Sequence, residues 1–274
     1  GLHLRNGSEY LEGMLAAYQA RLAPVNVNYR YRAAELTHVL RDSGARAVVY
    51  HAAFAPLLDQ VRVELSDLRL LLQVDDGSGQ PLLDGALDYE AALAASSPAL
   101  RAGLVDSRSG DDLYVCYTGG TTGMPKGVLW RQADFLVSAL GIRRRDGSDI
   151  GSLDELVEAA GPARLRALPA PPLMHGAAHW NAISCWVAGG TVVIQDHPEH
   201  FDPDDVLDVA ERESTTSLLI VGDAFARPLL DALARRPRHL PALRHVLSGG
   251  AVLSPHRKAE LLAALPGVAV VDVL

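Results

Sequence analysis

The sequence predicts an α/β fold, layered, with mostly parallel sheets flanked by helices. Two observations predict it. Short apolar runs alternate with longer amphipathic stretches along most of the chain, the strand–helix–strand beat of a parallel sheet covered on its faces. A glycine- and threonine-rich loop also follows a buried strand and precedes a helix-like stretch, where such folds commonly bind an anion.

Leu2–Arg5 reads as the first strand, and Ser8–Arg21 as a helix with Leu11, Met14, Leu15 and Tyr18 on one face. Pro24–Val27 reads as a strand. Tyr31–Asp42 reads as a helix with Leu36, Val39 and Leu40 at helical spacing and Gly44 just past its end. Arg46–Tyr50 is then a strand, Ala53–Leu65 a helix and Arg69–Val74 a strand. From Asp75 to Gly110 the pattern loosens, with one short helix near Tyr89–Ala95. Asp112–Tyr117 is an apolar and aromatic strand, and Val128–Arg131 leads into a helix over Gln132–Leu140. A polar insert from Asp146 to Gly161 carries a short surface helix, Ser152–Ala159, and Arg143–Arg145 reads as a solvated helix end.

Ala170–Gly176 returns to the core, followed by a strand at Thr191–Gln195. Asp202 as N-cap, Pro203 at the first helical position and two further acids start the next helix. Ser217–Val221, Arg244–Leu247 and Val268–Val271 are the remaining strands. Between them lie helices over Ala224–Arg235, with Asp223 as its cap, and from Ser254-Pro255 to Leu265.

A chain of 274 residues, 49% apolar, can bury a sizeable core in one large domain or two closely joined ones. The net charge of −8, with no basic face, argues against a nucleic-acid surface. Cys116 and Cys185 are too few for a disulfide framework, which points to a reducing, cytoplasmic setting. No apolar run reaches the length of a membrane span, and Gly1 reads as a cut end without a signal peptide.

The centre of the chain is Tyr117-Thr-Gly-Gly-Thr-Thr-Gly-Met-Pro-Lys-Gly127. Glycines let successive backbone N–H groups converge on one anion, where side chains would block the approach. Thr118, Thr121 and Thr122 add hydroxyl donors and Lys126 a mobile positive charge. A Walker A loop needs Gly-Lys-Ser/Thr, but here Lys126 is preceded by Pro125 and followed by Gly127. Two further stretches stand out. In Pro172-Leu-Met-His-Gly176, His175 could donate to a phosphate or carboxylate, or could be a structural residue, and His179 lies one helical turn on. Ser248-Gly-Gly-Ala251 is a turn after a strand, equally open to both readings. His197-Pro-Glu-His200 has metal-ligand types but no further ligand cluster nearby, and reads as a surface loop. No Gly-x-Ser-x-Gly elbow suggests hydrolysis.

The 117–127 stretch resembles the signature of the acyl-adenylate-forming (AMP-binding) superfamily, in which Gly119 takes the place of a common Ser. The 172–176 and 248–251 stretches resemble two further landmarks of that family, with Val252 in place of a usual Pro. The resemblance runs from the Asn26–Leu36 stretch to the end of the chain and leans toward acyl-CoA synthetases. It implies an incomplete N-terminal AMP-binding domain over residues 1–274, part of a large N-terminal domain whose start and whose C-terminal partner domain are missing.

It further implies ATP-dependent activation of a carboxylic acid to an acyl-adenylate, release of pyrophosphate and transfer to CoA. Thr118, Gly119, Gly120, Thr121, Thr122, Gly123 and Lys126 would hold phosphates. His175, with Lys126, would serve the chemistry, and Gly249, Gly250 and Ala251 would lie beside the adenine. Mg²⁺ would arrive with ATP, touched here at most by Thr118, because the family's metal-holding Glu lies beyond Leu274. The chain alone is then expected to bind nucleotide poorly and not to turn over. The Gly222–Pro228 stretch resembles an acyl-pocket segment and suggests a fatty or bulky ring-bearing acid. Two alternatives stay open: an adenylation domain loading a carrier protein, and an inactive nucleotide- or acyl-binding module.

Overall fold

The computed structural model describes residues 1–97, 99, 103, 107–119, 123–144, 146–160 and 164–273, in two units, Gly1–Ala139 and Leu140–Leu274. In the first unit a four-stranded parallel sheet is built from β1 (Leu2–His3), β2 (Ala47–His51), β3 (Leu70–Val74) and β4 (Leu87–Asp88), in that order. The connecting helices are α1 (Ser8–Gln19), α2 (Ala33–Asp42), α3 (Ala55–Arg62) and α4 (Tyr89–Ala94). Leu36, Val39, Leu40, Val48, Tyr50, Leu58 and Val61 form the core between sheet and helices. The face of α1 is rotated from the expected one. Tyr10, Leu11 and Met14 are buried, while Leu15 is 40% exposed.

The expected Pro24–Val27 strand is reduced to two single bridges, Leu2 with Asn26 and Val25 with Val115. These bridges link β1 to a separate hairpin, β5 (Leu113–Thr118) and β6 (Lys126–Arg131), which pair antiparallel. The hairpin corrects the strand–loop–helix reading: the glycine-rich loop joins two strands. Val128, Leu129 and Trp130 favour extended backbone, and Trp130 sits directly across from Tyr114. The expected 132–140 helix is only a short turn, α5 (Gln132–Asp134), that widens into a π-helical Phe135–Ala139.

The second unit is a doubly wound sheet. Its strands β7 (Arg166–Pro169), β8 (Thr191–Val192), β9 (Ser217–Ile220), β10 (His245–Ser248) and β11 (Ala269–Asp272) are all parallel, in the order β11-β10-β9-β7-β8. The helices are α6 (Leu153–Ala160), α7 (Gly176–Val187), α8 (Pro203–Arg212), α9 (Gly222–Arg235) and α10 (Pro255–Ala264). Strand order reverses between β7 and β9. Right-handed crossovers therefore send α7 to one face and α8, α9 and α10 to the other. Leu168, Val206, Leu207, Leu218, Ile220, Leu229, Val246 and Leu261 fill the core on the α8–α10 side.

β7 escapes a sequence reading because it is short and ends in Pro169. A proline fits there because the neighbouring N–H, of Ala170, already serves β9 by donating to Leu219 O at 3.2 Å. The Pro169 nitrogen thus faces the β8 side, past β8's last pairing with Ala167. The α8 start is as expected, with the Asp202 carboxylate accepting from the Asp204 and Asp205 N–H groups at 2.9 and 3.3 Å. Asp223 is not the cap of α9. It lies inside the first turn, and its carboxylate accepts from Ser254 N–H at 2.8 Å, tying α9 to the cap of α10. Arg143 and Arg144 lie outside any helix and pair with Asp149 and Glu155, while Arg145 and Gly161 fall outside the described residues.

Candidate active site

The glycine-rich loop leaves β5 at Thr118 and re-enters β6 at Lys126, the two residues facing each other as the last pair of the hairpin. Both are exposed. Lys126 forms no ion pair among the described residues, whereas Lys258, the only other lysine in the sequence, is bound to Asp272 at 2.6 Å. Gly123 has φ +138, a backbone conformation that side chains rarely adopt. A Cβ at Gly119 would meet no described residue within 4 Å. Gly127 needs its missing side chain for another reason. A Cβ there would stand 3.0 Å from two atoms of the Tyr117 ring. Gly120, Thr121 and Thr122, expected to be phosphate ligands, lie outside the described residues.

Three residues that the sequence reading passed over hold the ends of this loop. The buried Asn26 amide donates to Tyr117 O at 2.9 Å and accepts from Tyr117 N–H at 2.6 Å, copying a strand pairing with a side chain. The Tyr117 hydroxyl donates to Asp42 at 2.6 Å. Burial and the Asp42 carboxylate both push this phenol well above its ordinary pKa, so it remains a donor. His38 Nε2 lies 2.9 Å from Pro125 O, and since a carbonyl only accepts, Nε2 carries the proton. The polar Asn26 in the otherwise apolar Pro24–Val27 run was the one available signal in the sequence.

In the second unit β7 and β9 each release a turn at their carboxyl ends where strand order reverses, the usual position of a ligand crevice in an open α/β sheet, and β10 releases another beside β9. The turn after β7 ends in His175, exposed, at the N-cap of α7. His179, on the first turn of that helix, is fully buried and donates from Nδ1 to Leu173 O at 2.7 Å. Burial holds its pKa down to about 4. It is therefore a neutral strut under the Leu173–His175 backbone. The turns after β9 and β10 are knitted together: Gly222 N–H donates to Ser248 Oγ at 3.1 Å and Gly249 N–H to Ile220 O at 3.2 Å.

The glycines of these turns have reasons of their own. Gly222 has φ +49, and a Cβ there would lie 2.4 Å from Val252 O. Gly250 has φ +80, and Gly249 lies against Val273. Ala251 and Val252 are exposed. The Gly222–Pro228 stretch opens on a cavity of about 560 Å³ lined by Asp223, Ala224, Arg227, Pro228 and Arg257. Among the described residues no group of three His, Cys, Asp or Glu side chains could hold a metal, and no helix is long and apolar enough to cross a membrane.

A signature-type loop on a hairpin and a doubly wound sheet with glycine turns at its switch point define an adenylate-forming enzyme fold. The chain belongs to the AMP-binding enzyme family, whose model matches residues 1–273. It is similar to the medium-chain acyl-CoA ligase Mig of Mycobacterium avium, 46% identical over 99% of this chain and 49% of that protein. It also resembles the 3-oxocholest-4-en-26-oate–CoA ligase of Rhodococcus rhodochrous, 35% identical over 99% of this chain and 50% of that protein. The chain thus spans about half the length of the curated relatives it matches. Among solved structures, the anthranilate CoA ligase AuaEII bound to anthranoyl-AMP matches with a TM-score of 0.79 at 21% identity, over 98% of this chain and 48% of that one. The N-terminal domain of FACL13 from Mycobacterium tuberculosis matches with a TM-score of 0.76 at 23% identity, over 100% and 61%. At these identities the two structures speak for the fold.

Proposed function

We propose that this chain is the nucleotide- and acyl-binding part of an ATP-dependent acyl-CoA ligase, an N-terminal AMP-binding domain acting on an acid with a long or ring-bearing apolar body. The observation that carries the proposal is the 117–127 loop, with Lys126 exposed and unpaired among the described residues, in a chain 46% identical to a medium-chain acyl-CoA ligase. In such a reaction the carboxylate attacks the α-phosphorus of ATP and pyrophosphate leaves. A thiol, here CoA, then attacks the acyl carbon and AMP leaves. Two anions must approach one another, so donors preorganised around the phosphates lower the barrier most.

Thr118, the N–H groups of Gly119, Gly120 and Gly123, the Thr121 and Thr122 hydroxyls and Lys126 take the phosphates in this reading. Lys126 stabilises the charge that builds on the departing pyrophosphate. Mg²⁺, arriving with ATP, would neutralise part of the phosphate charge. Thr118 is the side chain of this chain that would touch the ion. His175 donates to the reacting carboxylate or phosphate, and Gly249, Gly250 and Ala251 offer main chain to the flat adenine. The preference for a fatty or bulky ring-bearing acid rests on the names of the relatives and on the 222–228 segment.

The test is acid-dependent pyrophosphate release by this chain carried in a protein of its relatives' full length, across saturated acids of increasing length and a steroid side-chain acid, each with and without CoA. It is run beside calorimetric binding of ATP and of a non-hydrolysable acyl-adenylate analogue. Release, or analogue binding, that depends on acid type and is lost in Lys126→Ala supports the reading. Failure of every acid to elicit release, with no binding of the analogue, overturns it.

A further inference from the structure

We propose that helix α2 is a clamp on the phosphate loop, with His38 and Asp42 as positioning residues that fix its exit and its entry. The two residues are four apart and so lie on one face of the helix. From that face Asp42 holds the Tyr117 hydroxyl, one residue before the loop's first hydroxyl donor, Thr118. His38 holds the Pro125 carbonyl, one residue before Lys126. The opposite face carries Leu36, Val39 and Leu40 into the core, so the clamp stands on a rigid mount.

Three further details make the contacts a device for aiming the loop. Asn26 fixes the backbone of Tyr117 at both its N–H and its carbonyl, and from that anchored residue the hydroxyl reaches Asp42. The Tyr117 ring packs on Gly127, across the hairpin, which makes entry and exit move as one piece. And a groove of about 640 Å³, lined by Thr37, His38, Arg41, Asp42 and Met124, runs beside the clamp. The imidazole is therefore held by its hydrogen bond to Pro125, with open space beside it, and breaking that bond releases the loop exit without disturbing the core.

The consequence for nucleotide rests on the acyl-CoA ligase reading, whereas the clamp itself can be measured without nucleotide. The variants are His38→Leu, which keeps bulk and removes the donor, His38→Gln, whose amide nitrogen reaches where Nε2 stood, and Tyr117→Phe. Amide hydrogen exchange in the ligand-free chain is read at Gly119, Gly123, Lys126 and Gly127, with Val48 and Leu72 in the sheet as controls. A neutral hydrogen bond of ordinary strength predicts about a fivefold rise at Gly123 and Lys126 in His38→Leu, and the bond to the charged Asp42 predicts about a ten- to hundredfold rise at Gly119 in Tyr117→Phe. The controls stay unchanged, and His38→Gln returns to the parent rates.

ATP affinity, measured by calorimetry, falls by a similar factor in His38→Leu and recovers in His38→Gln. Unchanged loop exchange in His38→Leu overturns the clamp. So does an equal rise at Val48 and Leu72, which would make His38 a general stability residue, and so does failure of Gln to rescue. If the unmutated chain, carried in a protein of its relatives' full length, binds no ATP, the functional reading fails while the exchange rates still decide the clamp.

Discussion

His179 makes the stability of the second unit depend on pH in a range where carboxylates contribute little. Its imidazole is fully buried and stays neutral down to about pH 4, whereas in the unfolded chain it takes up a proton near pH 6.5. Over that interval the unfolded state binds more protons than the folded one, so stability falls as pH is lowered from about 6.5 to about 4. At about 1.4 kcal/mol per pH unit the full effect is roughly 3 kcal/mol. About 2 kcal/mol of it is lost between pH 7 and pH 5. The assay is hydrogen exchange at the Leu168, Leu218 and Val246 amides, in three strands of the second sheet, at pH 7 and pH 5 after correction for intrinsic rates. The comparison is His179→Asn, whose amide can still donate to Leu173 O but does not titrate. The parent is expected to lose about thirtyfold more protection than the variant on acidification. The variant is less stable at every pH because a small cavity replaces the ring, but only the slope is diagnostic. Equal slopes in the two proteins would refute a buried neutral imidazole at position 179.

Gly222→Ala is expected to cost about 2–4 kcal/mol, because the substitution combines a left-handed φ with a Cβ placed on Val252 O, and thermal unfolding reads it directly. Asp202→Ala removes the acceptor for the Asp204 and Asp205 N–H groups and should lower stability by about 1 kcal/mol, measured by urea unfolding, without affecting ligand binding. Lys126→Ala removes a hydrogen bond to a charged group and should weaken ATP binding by about ten- to a hundredfold at unchanged melting temperature. Raising salt should weaken parent binding more than variant binding, since an exposed charge is screened within about 8 Å at physiological ionic strength.

Much of the fold was legible because periodicity and capping are local. Leu36, Val39 and Leu40 are buried as their spacing implies, and Asp202-Pro203 starts a helix as its chemistry requires. What was not legible depends on partners distant in sequence. Val128–Arg131 becomes a strand because residues 113–118 lie beside it, and a glycine-rich loop before Gln132 looks the same whether it ends in a strand or a helix. β7 was missed because four residues ending in proline show no period; only its neighbours β9 and β8 make it a strand. Tyr10 replaces Leu15 on the buried face of α1 for a similar reason, since hydrophobicity alone does not say which side of a helix meets the sheet. The candidate site divides the same way. Thr118, Lys126, His175 and Gly249–Ala251 were visible as motifs, whereas Asn26, His38 and Asp42 act across separations of 75–91 residues and carry no local signature.

The hairpin changes the physics proposed for phosphate binding. A strand–loop–helix arrangement places the anion at a helix N-terminus, where the dipole and the unpaired N–H groups act together. Here the loop exits into β6, and the short helical turn at Gln132 begins only after that strand. Among the described residues no helix begins at the loop exit. In the proposed reading, what this loop itself offers a phosphate is its N–H groups, its threonine hydroxyls and the ammonium of Lys126, in a chain whose net charge of −8 repels a polyphosphate at long range. Such a site gains from having its few donors aimed beforehand, since each one that must be ordered on binding subtracts from a small total. The buried Asn26 amide, the Tyr117–Asp42 bond and the His38–Pro125 bond supply that aim from the helix and strand behind the loop. In the proposed clamp a loop of glycines can therefore stay open enough for phosphate while its two ends, at Tyr117 and Pro125, are held from behind.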